Sequence, residues 1–312
     1  MYDLHSHIIY GVDDGSPDVE TSRELLKMAA GCGTRHIVAT PHVIELNNCP
    51  SWQRITDGVA ELKTMAAEEK LDLAIYPGAE IEMNWDILEL FSEGSRDYCL
   101  GGSHYLLVEL PAMTIPDYTE DFWYELQLKG ICPVLAHPER HQGLMEQPQR
   151  LLKWMRSGVL TQMNGGSITG RFGEHVKQNA EMLLKNDVIC FIGSDAHRVK
   201  IRNTDLTHAK QRLVELLGAE KAKLLCEVNP AKLLADQELV LKLPQMIKPV
   251  EKKKKGFWSK LFGYGENYEK IIVFRIAGRQ PDAAAGRYSG SGACGVRNVW
   301  RRSAAADCVQ SS

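Results

Sequence analysis

His5 and His7 stand two residues apart in Asp3-Leu-His5-Ser-His7, so on an extended strand both imidazoles project to one side and can share a metal ion. Asp13-Asp14-Gly15 follows within a turn. The same kind of residue then recurs where apolar runs end: Thr40-Pro-His42, Gly78-Ala-Glu80, Glu109, His137-Pro-Glu-Arg140 and Ser194-Asp195-Ala-His197. One His-x-His pair is a weak signal. Six strand ends in order, each carrying a His or a carboxylate, are hard to obtain by accident and point to a metal centre. The donors are imidazole and carboxylate without thiolate, which favours Mn²⁺, Fe or Zn²⁺ over a structural thiolate site. Clustered metal ions lower the pKa of a bound water and clamp phosphoryl oxygens during in-line displacement. The planar guanidinium of Arg140 offers bidentate contact to such a phosphate.

Other candidates have plainer readings. His36, His175 and His208 read as surface or satisfied core side chains. Glu82 and Asp13 read as solvated, or at most as supports for a ligand. His104 and His141 lie near the proposed rim, where holding a loop and binding metal both stay open. None of the eight Cys has an Arg six positions on, so a cysteinyl-phosphate mechanism, which needs both in one phosphate-binding loop, is excluded.

The elements that must position these groups alternate. Residues 36–40, 73–76, 105–109, 131–136, 159–163 and 188–192 read as strands, and their near-continuous apolarity suits a parallel sheet covered on its outer face. Between them, helical patterns fit residues 52–69, 85–91, 118–129, 148–157, 174–185 and 206–217. A further helix begins after Ser16-Pro17, read as N-cap and first turn. Six or seven βα units in this span suggest a barrel, whose strands converge their C-terminal ends on one rim. Asn229-Pro230 reads as the close of the domain.

The chain has 312 residues, 44% hydrophobic and 25% charged, an ordinary globular mix. No apolar run approaches the roughly 18–20 residues of a membrane span. No basic leader precedes the first strand, and the Cys are scattered singly, which suits a reducing compartment; the expected location is the cytoplasm. The net charge of −3 hides an asymmetry. Residues 248–312 hold thirteen basic against five acidic residues, leaving an acidic body that disfavours nucleic acid as a bulk partner. We read residues 1–244 as the catalytic domain, 245–264 as a basic amphipathic linker and 265–312 as a tail with little order. Lys252-Lys-Lys-Lys-Gly-Phe-Trp-Ser-Lys-Leu-Phe262 has the composition of a peripheral anchor on an anionic membrane, so residues 248–263 allow either solvated linker or contact with the inner face of the plasma membrane.

Together the four motifs around His5 and His7, His42, His137-Pro-Glu-Arg140 and Asp195-Ala-His197 resemble those of the polymerase and histidinol phosphatase (PHP) superfamily. Val12-Asp-Asp14-Gly15-Ser16, Leu107-Val-Glu109-Leu110-Pro111 and Gln162-Met-Asn164-Gly-Gly-Ser167 are similar to its capsular-polysaccharide protein-tyrosine phosphatases. The resemblance covers about residues 1–240. It implies a distorted (β/α)7 barrel of the PHP, TIM-like type, with three metal ions, often manganese. His5, His7, Glu80 and Asp195 would hold one; Glu80 would bridge to a second, completed by Glu109 and His137; Asp14, His42 and His197 would hold the third. Arg140 and Arg202 would bind phosphate, with Arg198 as the competitor for the second place. The implied substrate is a phosphotyrosine protein, the tyrosine-rich tail of a bacterial tyrosine kinase controlling exopolysaccharide assembly, and self-association is known within the family. A tyrosine leaving group needs little general-acid help because phenol titrates near about 10, and no general acid is assigned. Two rivals stay open. One is another PHP phosphoesterase, acting on histidinol phosphate or nucleic-acid ends, against which Asp14, Glu109 and the acidic body argue. The other is a non-catalytic regulatory module, against which the complete ligand set argues.

Overall fold

Short apolar runs rich in Val, Ile and Leu become parallel strands with buried side chains on both faces. The computed structural model describes residues 1–44 and 48–249, together with the strands Lys270–Val273 and Asn298–Val299. In chain order the strands of the body are β1 (Tyr2–Ser6), β2 (His36–Ala39), β3 (His42–Val43), β4 (Ala74–Pro77), β5 (Glu80–Glu82), β6 (Tyr105–Glu109), β7 (Cys132–Ala136), β8 (Leu160–Asn164) and β9 (Phe191–Gly193). One parallel sheet has the order β1-β2-β4 and the other β3-β5-β6-β7-β8-β9.

The two sheets are one wall. β2 and β3 are halves of a single run broken at Thr40-Pro41, and β4 and β5 are halves of another broken at Gly78-Ala79. Pro41 cannot donate into a ladder, but its carbonyl accepts from Glu80 N at 3.1 Å. At Gly78 a β-carbon would sit 2.9 Å from Val38 Cγ1 and 3.0 Å from Leu100 Cδ2, so the second break needs glycine for its close approach to β2. The free edges β1 and β9 then meet, Asp195 N donating to His5 O and His7 N to Ala196 O, each at 2.8 Å. The result is a distorted seven-stranded (β/α) barrel, as expected from the alternation. Two strand runs prove to be two segments each, which local sequence pattern does not resolve.

Helices cover the outside. Helix α1 (Val19–Gly31) is capped by Asp18, which accepts from Thr21 N at 2.8 Å. Ser16 is not the cap; it is buried, with its amide on His7 O, and serves the turn after β1. Helix α2 (Trp52–Glu68), capped by Ser51, buries Ile55, Val59 and Leu62, and α3 (Thr119–Leu128) buries Phe122, Trp123 and Leu126. The expected helix at 85–91 is a 3-10 stretch, Asp86–Leu90, whose hydrogen bonds span three residues. Further along come α4 (Gln142–Glu146), α5 (Gln149–Arg156), α6 (Gly165–Ile168), α7 (Glu174–Lys185), α8 (Thr207–Leu217), α9 (Ala219–Lys223) and α10 (Asn229–Leu234).

The chain does not leave the barrel at Asn229-Pro230. Asp236 accepts from the backbone amide of His104 at 2.8 Å and also bonds its ring, which ties α10 to the start of β6. His104 is therefore at the N-terminal end of the barrel, opposite the rim, because it precedes its strand. Leu239, Leu243 and Ile247 are buried, Gln149 exchanges two hydrogen bonds with the Ile247 backbone, and Asn186 does the same with Lys248. Strand β10 (Val240–Leu243) pairs antiparallel with Lys270–Val273, which pairs with Asn298–Val299. Both partners fall within 265–312, where we expected little order; the β-branched run Ile271-Ile-Val273 explains the first. The basic stretch from 250 to 263 lies outside the described residues. Among the described residues no helix is long and apolar enough to cross a membrane.

Candidate metal centre

The barrel's C-terminal rim gathers every one of the nine residues whose type and position suggested a ligand. His5 and His7 come from the end of β1, Asp14 from the turn after it, His42 and Glu80 from the starts of β3 and β5, Glu109 from the end of β6. His137 follows β7, and Asp195 and His197 follow β9. His42 and Glu80 are register partners, in continuation of the β2–β4 pairing, so two ligand-type side chains stand side by side.

Around Glu80 Oε2 lie His5 Nε2 at 3.1 Å, His7 Nε2 at 3.2 Å and His42 Nδ1 at 3.2 Å. Asp195 Oδ1 is 3.6 Å from His5 Nε2 and 3.5 Å from His7 Nε2. The other Glu80 oxygen is 2.9 Å from His137 Nε2, which is 3.5 Å from Glu109 Oε1. Asp14 Oδ1 is 3.4 Å from His197 Nε2 and 3.7 Å from His42 Nε2. Donors bound to one ion at about 2.1 Å lie roughly 3.0–3.4 Å apart in octahedral or tetrahedral geometry, so these spacings suit shared cations. Four overlapping groups each bring one donor atom per residue within 4.8 Å of one another: His7, Asp14, His42 and His197; His5, His7 and Glu80; His5, His137 and Asp195; His42, Glu80 and Glu109. The three sets that the resemblance implies are therefore not the unique partition, because His42 spans two groups with its two nitrogens.

Protonation makes the case more sharply than distance. Gln162 spends its amide hydrogens on Met163 O and Asn164 Oδ1, so its Oε1 accepts from His5 Nδ1 at 3.0 Å. Asp13 accepts from His7 Nδ1 at 2.7 Å. Both rings thus present bare Nε2 lone pairs to each other at 3.1 Å, an arrangement that needs a cation or a proton between them. His197 donates from Nδ1 to Asp195 O, which leaves its buried Nε2 without a hydrogen bond, and His42 Nδ1 is likewise without one. The residues fit a bound metal.

Charges agree. Burial alone would raise the Glu80 carboxyl, but His5, His42 and His137 bring it well below the ordinary carboxylate range. Burial opposes ionisation of Asp195 too, and His5, His137 and Arg202 overcome it. At Glu109 burial and the charges of Glu80 and Asp195 outweigh Arg140 and His7 and push the carboxyl up to about 9. A carboxyl that cannot ionise beside two that have is a place where a bound cation would be favoured. Asp195 and His137 also hold left-handed backbone, at φ +55° and +29°, a cost of about 1–3 kcal/mol each that clusters at functional loops.

Arg140 and Arg202 both reach Asp195: Arg140 Nη1 donates to Oδ2 at 2.8 Å, while Arg202 pairs with Oδ1 and donates from Nε to the backbone carbonyl at 3.1 Å. Arg198 instead donates to the carbonyls of Asp14 and His197, so it holds loops together and Arg202 faces the site. His141 accepts from Leu144 N and donates to Pro111 O, which fixes the loop after β6.

Five residues were undervalued in the sequence. Asp13 is not solvated; besides His7 it accepts from the amides of His42 and Gly15. Gln162 and Asn164 point into the barrel, Asn164 donating to Asp195 Oδ2 at 2.6 Å, and their strict alternation on β8 was the available signal. Glu139, fully buried, accepts from Asn164 N and Ser167 Oγ and so fixes that strand end. Phe172 lies under Arg140, its ring centroid 4.5 Å from Cζ, and nothing in the sequence marks it. Glu82 joins no group.

Residues 1–235 match the family described as capsular polysaccharide synthesis, CpsB/CapC. The chain belongs to the CpsB/CapC family. It is 34% identical over 266 residues to the tyrosine-protein phosphatase YwqE of Bacillus subtilis, covering 85% of this chain and 100% of YwqE. Against the tyrosine-protein phosphatase CpsB of Streptococcus pneumoniae it is 32% identical over 242 residues, 76% of this chain and 99% of CpsB. The fold is shared with a crystal structure from work on YwqE and CpsB, described as metal-dependent tyrosine phosphatases, at a TM-score of 0.71 and 33% identity, covering 76% of this chain and 95% of that one. The CpsB/CapC match spans the barrel and stops before β10, as the motif resemblance did.

Proposed function

We propose that this CpsB/CapC chain is a metal-dependent protein-tyrosine phosphatase that hydrolyses phosphotyrosine with a metal-activated water. The observation that carries the reading is the convergence of nine His and carboxylate donors with two guanidiniums on one rim, with imidazole lone pairs aimed at each other. In our assignment His5, His7, Glu80 and Asp195 would hold one cation, Glu80, Glu109 and His137 a second, and Asp14, His42 and His197 a third. The preferred metal is Mn²⁺, with Fe or Zn²⁺ compatible with the same donors. When bound, such ions supply a water of lowered pKa and draw charge from the phosphoryl oxygens.

The chain's own residues do the rest. Asp13 and Gln162 hold His7 and His5 in the tautomer that leaves Nε2 bare. Arg140 and Arg202 present guanidinium donors to the phosphate and offset the charge spread over its equatorial oxygens in a loose transition state. The phenolate leaves without a positioned acid. The substrate is a phosphotyrosine protein; the tyrosine-rich tail of a bacterial tyrosine kinase in capsule or exopolysaccharide assembly fits the CpsB/CapC family. The enzyme acts in the cytoplasm, and residues 248–263 would keep it near an anionic inner membrane face.

Phosphate release is measured from a phosphotyrosine peptide, from histidinol phosphate and from a 5′-phosphorylated oligonucleotide, with Mn²⁺ and with chelator. Turnover of the peptide alone, abolished by chelator, is expected. Preference for either other substrate would overturn the tyrosine assignment, and no turnover of any would favour a regulatory module.

A further inference from the structure

We propose that Phe172 is a positioning residue for the phosphate-facing arginines. Residues 169–173 form the tight turn between α6 and α7. Gly170 and Gly173, at φ +84° and +94°, supply its two left-handed corners, and Arg171 N donates to Gly166 O at 2.9 Å. The turn leaves the Phe172 ring half-buried against the rim. A β-carbon at Gly166 would sit 3.0 Å from Phe172 Cε2, so the loop's own backbone is shaped to admit the ring.

The ring centroid is 4.5 Å from Arg140 Cζ and 5.9 Å from Arg202 Cζ, within cation–π reach of both. The three residues come from three loops, after β7, β8 and β9, so Phe172 is the piece that joins the two arginines laterally. Its chemistry suits that place. Two guanidiniums converge on one carboxylate, Asp195, whose oxygens also face His5 and His7. A second carboxylate at position 172 would hold the arginines but occupy their N–H donors and repel a phosphate. An aromatic face attracts the guanidinium through its quadrupole, consumes none of those donors and adds no negative charge. The ring therefore holds the cations in place while leaving their hydrogens for the ligand's oxygens.

This inference rests on the phosphatase reading only in taking phosphate as the bound group. The test uses the Mn²⁺-loaded full chain and measures the affinity of inorganic phosphate by calorimetry, alongside kcat/KM on a phosphotyrosine peptide and bound metal. Phe172→Leu should weaken phosphate binding by about 2- to 30-fold, the span of a cation–π contact from exposed to desolvated, with metal content unchanged. Phe172→Trp should stay within about twofold of the parent, since indole is the better π face. In an Arg140→Ala background, Phe172→Leu should cost clearly less than in the parent. Unchanged phosphate affinity in Phe172→Leu, an equal cost in both backgrounds, or a parallel loss of metal would each overturn the proposal. A parent protein that binds phosphate yet releases none from phosphotyrosine would sink the phosphatase reading and leave this one standing.

Discussion

Asp13→Asn tests whether the centre is held from behind as its hydrogen bonds indicate. Asp13 accepts three bonds, from His7 Nδ1 at 2.7 Å and from the amides of His42 and Gly15 at 2.9 Å each. The His7–Asp13 pair is buried at both ends, with side chains 0% and 1% exposed, so solvent does not discount it. An Asn of the same shape has one acceptor oxygen; if that oxygen faces His7, its NH₂ is aimed at a backbone N–H, and if the amide turns, its NH₂ meets His7 Nδ1–H. At least one bond is lost either way, and in the second case the ring is pushed to the tautomer that blocks Nε2. A charge-assisted bond of this kind contributes about 1.5–3 kcal/mol. Loss of an outer partner of a metal-binding His costs about 10- to 100-fold in metal affinity, and the two figures agree. Mn²⁺ titrated calorimetrically into chelator-stripped Asp13→Asn should therefore bind the tightest site about 10- to 100-fold more weakly, with thermal stability followed in the stripped protein to separate loss of fold. Unchanged Mn²⁺ affinity in a folded variant would refute the view that Asp13 sets the His7 tautomer.

Metal removal should abolish phosphotyrosine hydrolysis, and Mn²⁺ should restore it better than Mg²⁺, which accepts imidazole poorly; full turnover in excess chelator after prolonged dialysis would contradict the donor assignment. Arg140→Ala should lower kcat/KM by on the order of 10²–10³, the scale for one preorganised charge-stabilising group, and metal analysis should show the ions still bound. Burial pushes the thiols of Cys99 to about 12 and of Cys190 and Cys226 to about 11, so at pH 8 iodoacetamide should spare these three in the folded protein and leave activity intact. Co-sedimentation with anionic vesicles at low salt should be lost on truncation after Lys248, a cut that keeps the docked Ile247 in place; equal pelleting of both forms would leave the basic stretch a linker.

The rim residues were legible because a (β/α) barrel repeats one rule: residues at or just past a strand's C-terminal end face the rim. That rule reads His137, Asp195 and Glu109 from position alone. It cannot choose between neighbours. Asp13 and Asp14 are adjacent carboxylates, and only the fold of the turn sends Asp13 inward behind His7 and Asp14 outward across His42 and His197. Strictly applied it excludes His104, which precedes β6 and sits at the opposite end from the rim near which we placed it. Phe172 was invisible for a different reason. Its meaning lies in two arginines from other loops, and a half-buried Phe between two glycines has no pattern of its own.

The breaks in the barrel wall tie these cases together. A continuous second strand would carry His42 along the same ladder as His36–Ala39, paired to β1 on one side and β4 on the other. The missing N–H of Pro41 ends that ladder, and the small Gly78 lets β4 end beside it. Past the breaks the two segments keep the register of β2 and β4, so His42 lies opposite Glu80, but β5 takes β6 as its other neighbour, with Glu80 and Glu82 opposite Leu107 and Glu109. His42 Nδ1 lies 3.2 Å from Glu80 Oε2, which His5 and His7 also approach from the end of β1. The wall gathers imidazoles from β1, β3 and the end of β7 around the one buried carboxylate of Glu80 on β5.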